Sequence, residues 1–452
     1  MKPLILHALF WALFGCTGIL VAQEGADSKP LTLEDCIAIG LDKSFDVQQS
    51  SASTKAAAAR LVNAFGAYLP SAEVTANYSR QLTNLREQFS IVNGVPIVGQ
   101  PLPNTYGLNG SLNLNVFDGF RRESEYTSAQ NDLSATRSDV AYARAAARFN
   151  ITRQFIEVAR RKQVLNARRE TVGLAQATLE RMKEMVRVGR GTQQDVNSQE
   201  TELANQEVSL IQAENDVATA KAQLLATMSV NPSQLIDINE GALSSELSPQ
   251  SVASMRARFS SEIDAVTQAF SKRSDIESAS LREQSAKSQI GSASAGYYPS
   301  LSASGGYTWR NFTIGDFDRQ GQVYAGIFIR VPVFDQFTTH RNVESATLSH
   351  TQRILDIERL KNQIRTDIRS AFLQLTAAEK GLDVTARALS FAKFNAEAVR
   401  ERYNVGSATM LDMQTANNQL ITAQINRISA VFTYHSAVAA VDFAVGEMEG
   451  DN

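Results

Sequence analysis

Cysteine and histidine are scarce in this sequence of 452 residues, and neither positive nor negative charge is in large excess. The two cysteines, Cys16 and Cys36, are too few to stabilise a disulfide-rich fold or to build a cysteine-ligated zinc site. The four histidines offer little material for a metal centre, so we predict no metal site and no cofactor. A formal net charge of −3 leaves no basic footprint, and nucleic acid is therefore not an expected partner.

The sequence also lacks the motifs that carry common enzymatic chemistry. It has no glycine-rich phosphate loop ending in Lys-Ser/Thr, no His-Glu-x-x-His pair and no Gly-x-Ser-x-Gly turn. Serine and aspartate occur mainly in repetitive helical stretches. We interpret them there as small side chains that allow close packing and as side chains exposed to solvent. We therefore predict that the protein is not an enzyme and that a partner supplies the energy for its function.

The one long apolar run stands near the start of the chain. Lys2 precedes the run Leu4–Ala22, a pattern typical of a secretory signal peptide, here residues 1–22. The tetrapeptide that ends at Cys16 weakly resembles a lipidation signal, but the bulky Phe14 within it argues against lipidation. No other run approaches the roughly 20 apolar residues that a membrane-spanning helix needs.

The rest of the chain contains two copies of one plan. The run Tyr68-Leu69-Pro70-Ser71 corresponds to Tyr297-Tyr298-Pro299-Ser300, and Val116-Phe117-Asp118 corresponds to Val333-Phe334-Asp335. A spacing shared by many such matches indicates a tandem duplication. The spacing changes only within one loop, which is longer in the first copy.

This duplication sets the expected organisation. We predict a first repeat at 23–230, an inter-repeat equatorial segment at 231–260 and a second repeat at 261–452. Each repeat reads helix, strand, loop, strand, very long helix, turn and helix. The predicted hairpins of long helices span 122–228 and 339–446.

Four segments alternate apolar and polar side chains, which predicts four strands. These strands span about 71–82, 105–117, 300–311 and 322–333. Each is about 10 residues long, a length that suits a tilted strand crossing a membrane. A soluble antiparallel sheet alternates in the same way, so periodicity alone leaves both alternatives open.

Proline is absent from both long helices, Arg122–Arg187 and Thr339–Asn404. Each helix would reach about 99 Å at 1.5 Å per residue. Apolar residues in the second recur three or four positions apart, as they do in coiled coils. The shorter helices Asp46–Ala67 and Thr192–Met228 together nearly match one long helix, which predicts that they stack end to end beside it.

The strand count has a consequence for assembly. Four strands cannot close a membrane barrel, since the smallest have about 8, and an open sheet edge is not tolerated in lipid. If these strands span a membrane, two, three or four copies would supply about 8, 12 or 16 strands to one barrel. The polar faces, rich in Asn, Ser and Thr, suit a water-filled lumen.

Several short motifs resemble those of one known family. They are the start Leu31-Thr32-Leu33-Glu34-Asp35-Cys36-Ile37, the Tyr-x-Pro-Ser runs, the Val-Phe-Asp pairs, and Arg402-Tyr403-Asn404-Val405-Gly406 followed by Leu411-Asp412. In order and spacing the chain resembles the TolC-type outer-membrane efflux proteins, across both copies. The resemblance implies a mainly α fold with a small β part: a homotrimer with a 12-stranded outer-membrane barrel above a long periplasmic helical tunnel. It also implies docking to a periplasmic adaptor and to an inner-membrane pump or ABC transporter.

The resemblance further implies a gate at the periplasmic ends of the helical hairpins. Asp412, Tyr403 and Asp195 match positions near that gate. Ala408 stands where well-known members have a basic residue that locks the closed state, and Thr415 stands where they have a second acidic residue. Asp412 could then supply a ring of three carboxylates that favours cations, while the closing contacts must differ.

Several of these residues also have a purely structural reading. Thr192 and Thr409 fit helix N-caps, each with an acidic residue three positions on, and Thr32 and Ser261 repeat the pattern. Capping and gating are compatible roles. Two glycines, Gly189 and Gly406, fit left-handed helix ends and the hinge of each hairpin.

The junctions between strands and helices are marked by proline and phenylalanine. Pro70 and Pro299 precede the first predicted strand of each copy. Four aromatic residues stand where a strand gives way to a long helix, namely Phe117, Phe120, Phe334 and Phe337. They fit either an interfacial aromatic belt in contact with outer-membrane lipid or core packing at the joint.

These observations favour one function. The chain is predicted to be a passive outer-membrane exit duct of a tripartite efflux pump or a type I secretion system, reaching into the periplasm and opened there by partner docking. The alternative is a secreted, soluble coiled-coil scaffold or periplasmic adaptor without a pore. The sequence names neither the exported substrate nor the pump.

Overall fold

The computed structural model describes residues 30–82, 89–92, 95–98, 104–239, 249–258 and 261–449, together with residues 241, 243 and 247. The predicted signal peptide, with Cys16, lies outside the described residues. Cys36 is buried and unpaired with any other cysteine.

Nine helices and six strands are present in the described part of the chain. The first repeat holds α1 (Leu33–Lys43), α2 (Phe45–Gly66), β1 (Ser71–Arg80), β2 (Phe89–Val92), β3 (Val95–Val98), β4 (Asn104–Phe117), α3 (Arg121–Arg187) and α4 (Gln193–Thr227). The second part holds α5 (Pro249–Arg258), α6 (Glu262–Lys272), α7 (Ser274–Ser294), β5 (Ser300–Asn311), β6 (Gly321–Arg330), α8 (Thr338–Asn404) and α9 (Met410–Val445). The mainly α fold with a small sheet is confirmed.

The predicted strand ends need two corrections. β1 ends at Arg80 rather than at 82, and β6 ends at Arg330 rather than at 333. The physical reason at β6 is Pro332, which has no N–H to donate to a ladder and restricts the residue before it. Alternation of side chains continues past this point in the sequence, but the hydrogen-bonded strand does not.

The loop between the first two predicted strands, 81–104, holds structure of its own. Strands β2 and β3 pair antiparallel within it, with Phe89 opposite Val98. The predicted plan of helix, strand, loop, strand is therefore wrong for this segment of the first copy. The corresponding loop of the second copy is shorter and joins β5 to β6 directly.

The main sheet has four antiparallel strands in the order β1-β4-β5-β6. Its register places apolar side chains on one face in all four strands: Val74 pairs with Gly110, which pairs with Tyr307, which pairs with Val323. The other face carries Thr75, Asn109, Thr308 and Gln322 in successive strands, and similar polar residues along most of its length. A sheet with one apolar and one polar face matches a lipid-facing and a water-facing surface.

The two long helices form the spine of the molecule. At 67 residues each, α3 and α8 extend about 100 Å. Near the sheet the helices lie in the order α2-α3-α7-α8, and beyond it in the order α4-α3-α9-α8. Two short helices therefore stand end to end beside each long one, as the sequence predicts.

The two free edges of these layers come from different copies. Within the described residues, β1, α2 and α4 of the first copy form one edge, and β6 and α8 of the second form the other. Large apolar side chains on the helical edges are exposed, namely Val62, Phe65, Val208, Ile211, Leu348, Leu355, Phe391 and Phe394. Neither edge has a packing partner among the described residues of one chain.

The helical layers change partners at an equatorial region with two apolar cores. One core joins Cys36 of α1 to Phe155 of α3 and Leu224 of α4, and reaches Phe432 of α9. The other joins α6, α8 and α9 around Tyr434. The predicted inter-repeat segment 231–260 crosses this region, where it forms a parallel bridge between Ile238 and Leu31 and helix α5.

Helix α9 is apolar enough over an 18-residue window to cross a membrane by composition alone. The expectation that no run after the N-terminal one approaches this level is therefore wrong for α9. Half of that window is buried within the protein, where α9 packs between α3 and α8. Its apolar character serves the equatorial cores.

Candidate gate and membrane-spanning surface

The turns at the far ends of the two helical hairpins have the same backbone geometry. Gly189 and Gly406 adopt φ values of +71° and +78°. After each, the next N–H reaches back to a helical carbonyl, from Arg190 to Met185 at 2.8 Å and from Ser407 to Arg402 at 2.8 Å. This is the left-handed helix ending that glycine accommodates without strain. The sequence places both glycines at these helix ends correctly because the motif is local.

The helix that follows each turn begins with the same reciprocal cap. Thr409 accepts a hydrogen bond from the Asp412 N–H at 3.1 Å, and the Asp412 carboxylate accepts from the Thr409 N–H at 2.9 Å. Thr192 and Asp195 form the equivalent pair, at 3.2 and 3.3 Å. At the start of α1, Thr32 forms the same reciprocal pair with Asp35. Ser261 caps α6 by accepting from the Asp264 N–H at 3.1 Å.

The two candidate gate carboxylates differ in their surroundings. Asp412 is exposed, and its pKa is lowered by the hydrogen bonds from Thr409 and by the positive charge of Arg402. Asp195 is half-buried, and its charge acts on the nearby Tyr403 hydroxyl. Burial first, and the Asp195 charge second, raise the pKa of Tyr403.

Tyr403 lies where the two hairpin ends pack together. It contacts a small apolar cluster formed by Leu179, Met182, Val196, Met410 and Met413. It also lines a cavity of about 100 Å³ beside Arg400 and Met413. Tyr403 of the second copy thus packs against residues of both hairpins and lies near enough to Asp195 for that charge to act on its hydroxyl, whereas Asp412 lies on the exposed start of α9.

The two departures from the family pattern have a visible consequence. Ala408 and Thr415 carry no charge, and the Thr415 hydroxyl donates to the Leu411 carbonyl of its own helix at 2.8 Å. Arg402 is the base whose positive charge helps to lower the pKa of Asp412, and it also donates to the Ser407 carbonyl at 3.0 Å. Sequence reasoning missed Arg402, although its place five residues before Ser407 was a usable signal.

The predicted strand starts and junctions lie at the sheet end nearest the helices. Pro70 and Pro299 immediately precede β1 and β5. Edge-to-face ring pairs recur in both copies, Phe117 with Phe120 at 5.4 Å and Phe334 with Phe337 at 5.7 Å.

Three of these rings, Phe120, Phe334 and Phe337, are 58%, 73% and 70% exposed. Such exposure does not fit core packing within one chain. The interfacial belt stays a prediction.

Two aspartates at the same junctions accept hydrogen bonds from the first turns of the long helices, which sequence reasoning missed. Asp118 accepts from the Arg121 N–H at 3.1 Å, and Asp335 accepts from the Thr339 N–H at 2.7 Å. Both aspartates lie two residues before the helix N-caps, Phe120 and Phe337, whose own side chains make no capping hydrogen bond. Each carboxylate therefore binds one of the N–H groups that the first turn of a helix leaves unpaired. The repeated Val-Phe-Asp motif was the available signal.

The described residues hold no group of three or more His, Cys, Asp or Glu side chains arranged to bind a metal ion. The family model for outer membrane efflux proteins matches residues 38–229 and 265–447, which lie within the two predicted repeats. The chain belongs to the outer membrane efflux protein family. It is an exit channel of the cell outer membrane whose helical part reaches into the periplasm, and a soluble scaffold is not favoured.

Individual relatives are distant. The outer membrane efflux protein BepC of Brucella suis is 21% identical over 341 residues, covering 75% of this chain and 72% of BepC. The outer membrane protein TolC of Vibrio cholerae is 23% identical over 366 residues, covering 75% of this chain and 81% of TolC.

Solved structures show the same fold. The outer membrane protein VceC of Vibrio cholerae has a TM-score of 0.74 at 19% identity, covering 92% of this chain and 96% of VceC. The outer membrane channel CmeC of Campylobacter jejuni has a TM-score of 0.75 at 16% identity, covering 100% of this chain and 96% of CmeC. At these identities the likeness shows the fold of the chain alone.

Proposed function

We propose that three copies of this chain form a single duct, a homotrimer with a 12-stranded barrel above a helical tunnel. The observation that carries the proposal is the matching pair of free edges. The sheet and both helical layers end in the first copy on one side and in the second copy on the other. A head-to-tail interface of this kind closes into a ring when the rotation fits.

The apolar edges give this ring a driving force. Phe391 of α8 and Val208 of α4 are 71% and 67% exposed in the single chain. Both lie about 20 Å from the hairpin ends, counting 1.5 Å per residue. Their contact between neighbouring copies would bury both side chains.

In this assembly the duct conducts passively. Cargo passes through the tunnel and then along the polar face of the sheet, which lines the barrel. A periplasmic adaptor and an inner-membrane pump or ABC transporter supply the energy, in efflux or in type I secretion. Their docking opens the hairpin ends, with Gly189 and Gly406 as the hinges.

The gate would combine two features of the hairpin ends. Three copies of Asp412 form a carboxylate ring that favours cations. Contacts around Tyr403 and Asp195 hold the two hairpins of each copy together. Well-known members of the family have a basic residue at the position of Ala408. In this chain Arg402, whose positive charge acts on Asp412, would take over the role of that base.

The assembly is tested by cross-linking. Val208→Cys and Phe391→Cys in one chain should give a species of three times the mass of the single mature chain after treatment of intact outer membranes with a short bis-maleimide. Each single variant serves as the control and should stay uncrosslinked. A protein that carbonate releases from membranes as a monomer would refute the duct.

The partners are tested by capture. The intact tagged protein, solubilised from cells after reversible cross-linking, should retain a periplasmic adaptor and an inner-membrane transporter. Recovery of the trimer without either protein, in cells that are actively exporting, would contradict the proposed partnership.

A further inference from the structure

The polar face of the sheet carries two aromatic side chains that this face does not explain. Tyr324 and Phe328 lie on β6, on the face opposite to Val323 and Ile327. Tyr324 is 36% exposed and Phe328 is 59% exposed. In the proposed barrel these rings face water in the lumen, where lipid cannot stabilise them.

Both rings lie close against glycines. Tyr324 pairs across the strands with Gly306 of β5. A Cβ atom added to Gly306 would clash first with the carbonyl oxygen of Gly110 and would also stand 2.8 Å from the Tyr324 hydroxyl oxygen and 3.0 Å from its ring carbon Cζ. One added to Gly326 would stand 3.2 and 3.3 Å from two ring carbons of Phe328. Glycine at both positions lets the rings lie against the wall, and a larger residue at Gly326 would push the Phe328 ring toward the bore.

The strand that would lie beside these rings in the proposed barrel carries no ring on the same face. β6 is an edge strand, and in that barrel it meets β1 of the next copy. The side chains of β1 on the polar face are small or hydrophilic, namely Ser71, Glu73, Thr75, Asn77 and Ser79. Strand β1 would therefore leave Tyr324 and Phe328 accessible from the lumen.

We propose that Tyr324 and Phe328 form a luminal contact surface for planar aromatic small molecules on their way out. This inference rests on the proposed function, since it needs the barrel. Aromatic rings attract one another in offset or edge-to-face geometry, and they attract cations over their faces. Rings that lie against the wall offer those contacts without narrowing the bore. Six such rings in a trimer would favour transient contact with aromatic cargo over aliphatic or inorganic cargo.

The test measures block of single-channel current in planar bilayers. Ethidium, a planar aromatic cation, and tetrabutylammonium, an aliphatic cation of the same charge, are added on the side of the loop between β5 and β6. In the double variant Tyr324→Leu/Phe328→Leu we expect the dwell time of ethidium to shorten about two- to tenfold. The dwell time of tetrabutylammonium should stay unchanged.

A matched control lies on the opposite face. Tyr78→Leu removes an aromatic ring that faces away from the lumen and stacks on Tyr106 at 5.0 Å, and it should leave both dwell times unchanged. If the double variant does not assemble, Phe328→Leu alone should shorten the dwell time of ethidium, because it removes the more exposed of the two rings.

The outcomes separate the two proposals. Unchanged ethidium dwell times in a conducting double variant would overturn the luminal contact surface and leave the duct intact. An equal shortening in the Tyr78 variant would overturn it as well. Failure of the wild-type protein to conduct ions at all would overturn the proposed duct, and the contact surface with it.

Discussion

The bend between the first two helices of each repeat is built around serine in the first copy and around arginine in the second. Ser44 caps α2 by accepting from the Val47 N–H at 3.4 Å. Arg273, at the equivalent place between α6 and α7, pairs with Asp275 at 2.7 Å and donates to the Ala444 carbonyl at 3.2 Å. Both side chains are 5% exposed.

This difference shows how a duplicated plan becomes one molecule. The serine acts only within its own bend. The arginine lies over the rings of Tyr142 in the first copy and Phe443 in the second, at 5.8 and 6.0 Å. Arg273 thereby ties the end of α9 and the long helix α3 to the bend, and joins the two repeats at the equator.

The largest expected effect separates these two bends. Arg273→Ala should cost about 3–5 kcal/mol of unfolding free energy, because it leaves the Asp275 carboxylate without its partner in a partly buried site. Ser44→Ala should cost about 1 kcal/mol, the usual loss of a helix cap. Urea unfolding of the detergent-solubilised protein, followed by circular dichroism, measures both. Equal losses would contradict the distinction, and Arg273→Met with Asp275→Asn should recover part of the stability.

The hairpin turns sharpen the comparison, because here the copies agree. Gly189→Ala and Gly406→Ala should each destabilise their turn by about 1–2 kcal/mol, since an L-residue is strained at positive φ. Both losses should be similar, because a Cβ atom at either position meets open space. Hydrogen exchange at the first turns of α4 and α9 measures local opening. A control substitution, Gly173→Ala, lies within helix α3 and should not speed exchange at either turn.

The gate carboxylates provide a smaller and functional contrast. Asp412→Asn should weaken cation preference in planar-bilayer conductance, whereas Asp195→Asn should change it less, because Asp195 is half-buried beside Tyr403. Both variants keep a side-chain oxygen that can accept the hydrogen bond from the N–H of the capping threonine. Unchanged selectivity in the Asp412 variant would leave this residue as a cap alone.

The same carboxylate sets a pH dependence. Since the pKa of Asp412 is lowered in the folded protein, its contribution to the turn is present above the ordinary carboxyl pKa of about 4. It is lost as the pH falls through the lowered value. Hydrogen exchange at the start of α9 should accelerate there in the wild-type protein and not in Asp412→Asn.

The smallest effect concerns the loop that differs between the copies. Replacing residues 82–103 with the second copy's 312–320 should change stability by no more than about 1 kcal/mol, since closure entropy depends weakly on loop length. Trimer assembly and conductance should persist. Loss of assembly would show that the β2–β3 hairpin does more than connect two strands.

Local chemistry explains what could be predicted from the sequence. The caps at Thr192 and Thr409 and the left-handed glycines depend on residues a few positions apart, so their patterns are legible without a fold. The long helices follow from the absence of proline and from regular apolar spacing. The same reasoning failed at β6, where alternation was followed past Pro332 although the proline ends the ladder.

The sequence alone predicted the duplication, the lengths of the helices, the apolar and polar faces of the strands and the family resemblance. Only the tertiary structure decided that Tyr403 packs against an apolar cluster from both hairpins, that Arg273 bridges the two copies, and that the two free edges come from different copies. These are contacts between residues far apart in the chain. Packing of whole elements sets them, and no short pattern encodes that packing.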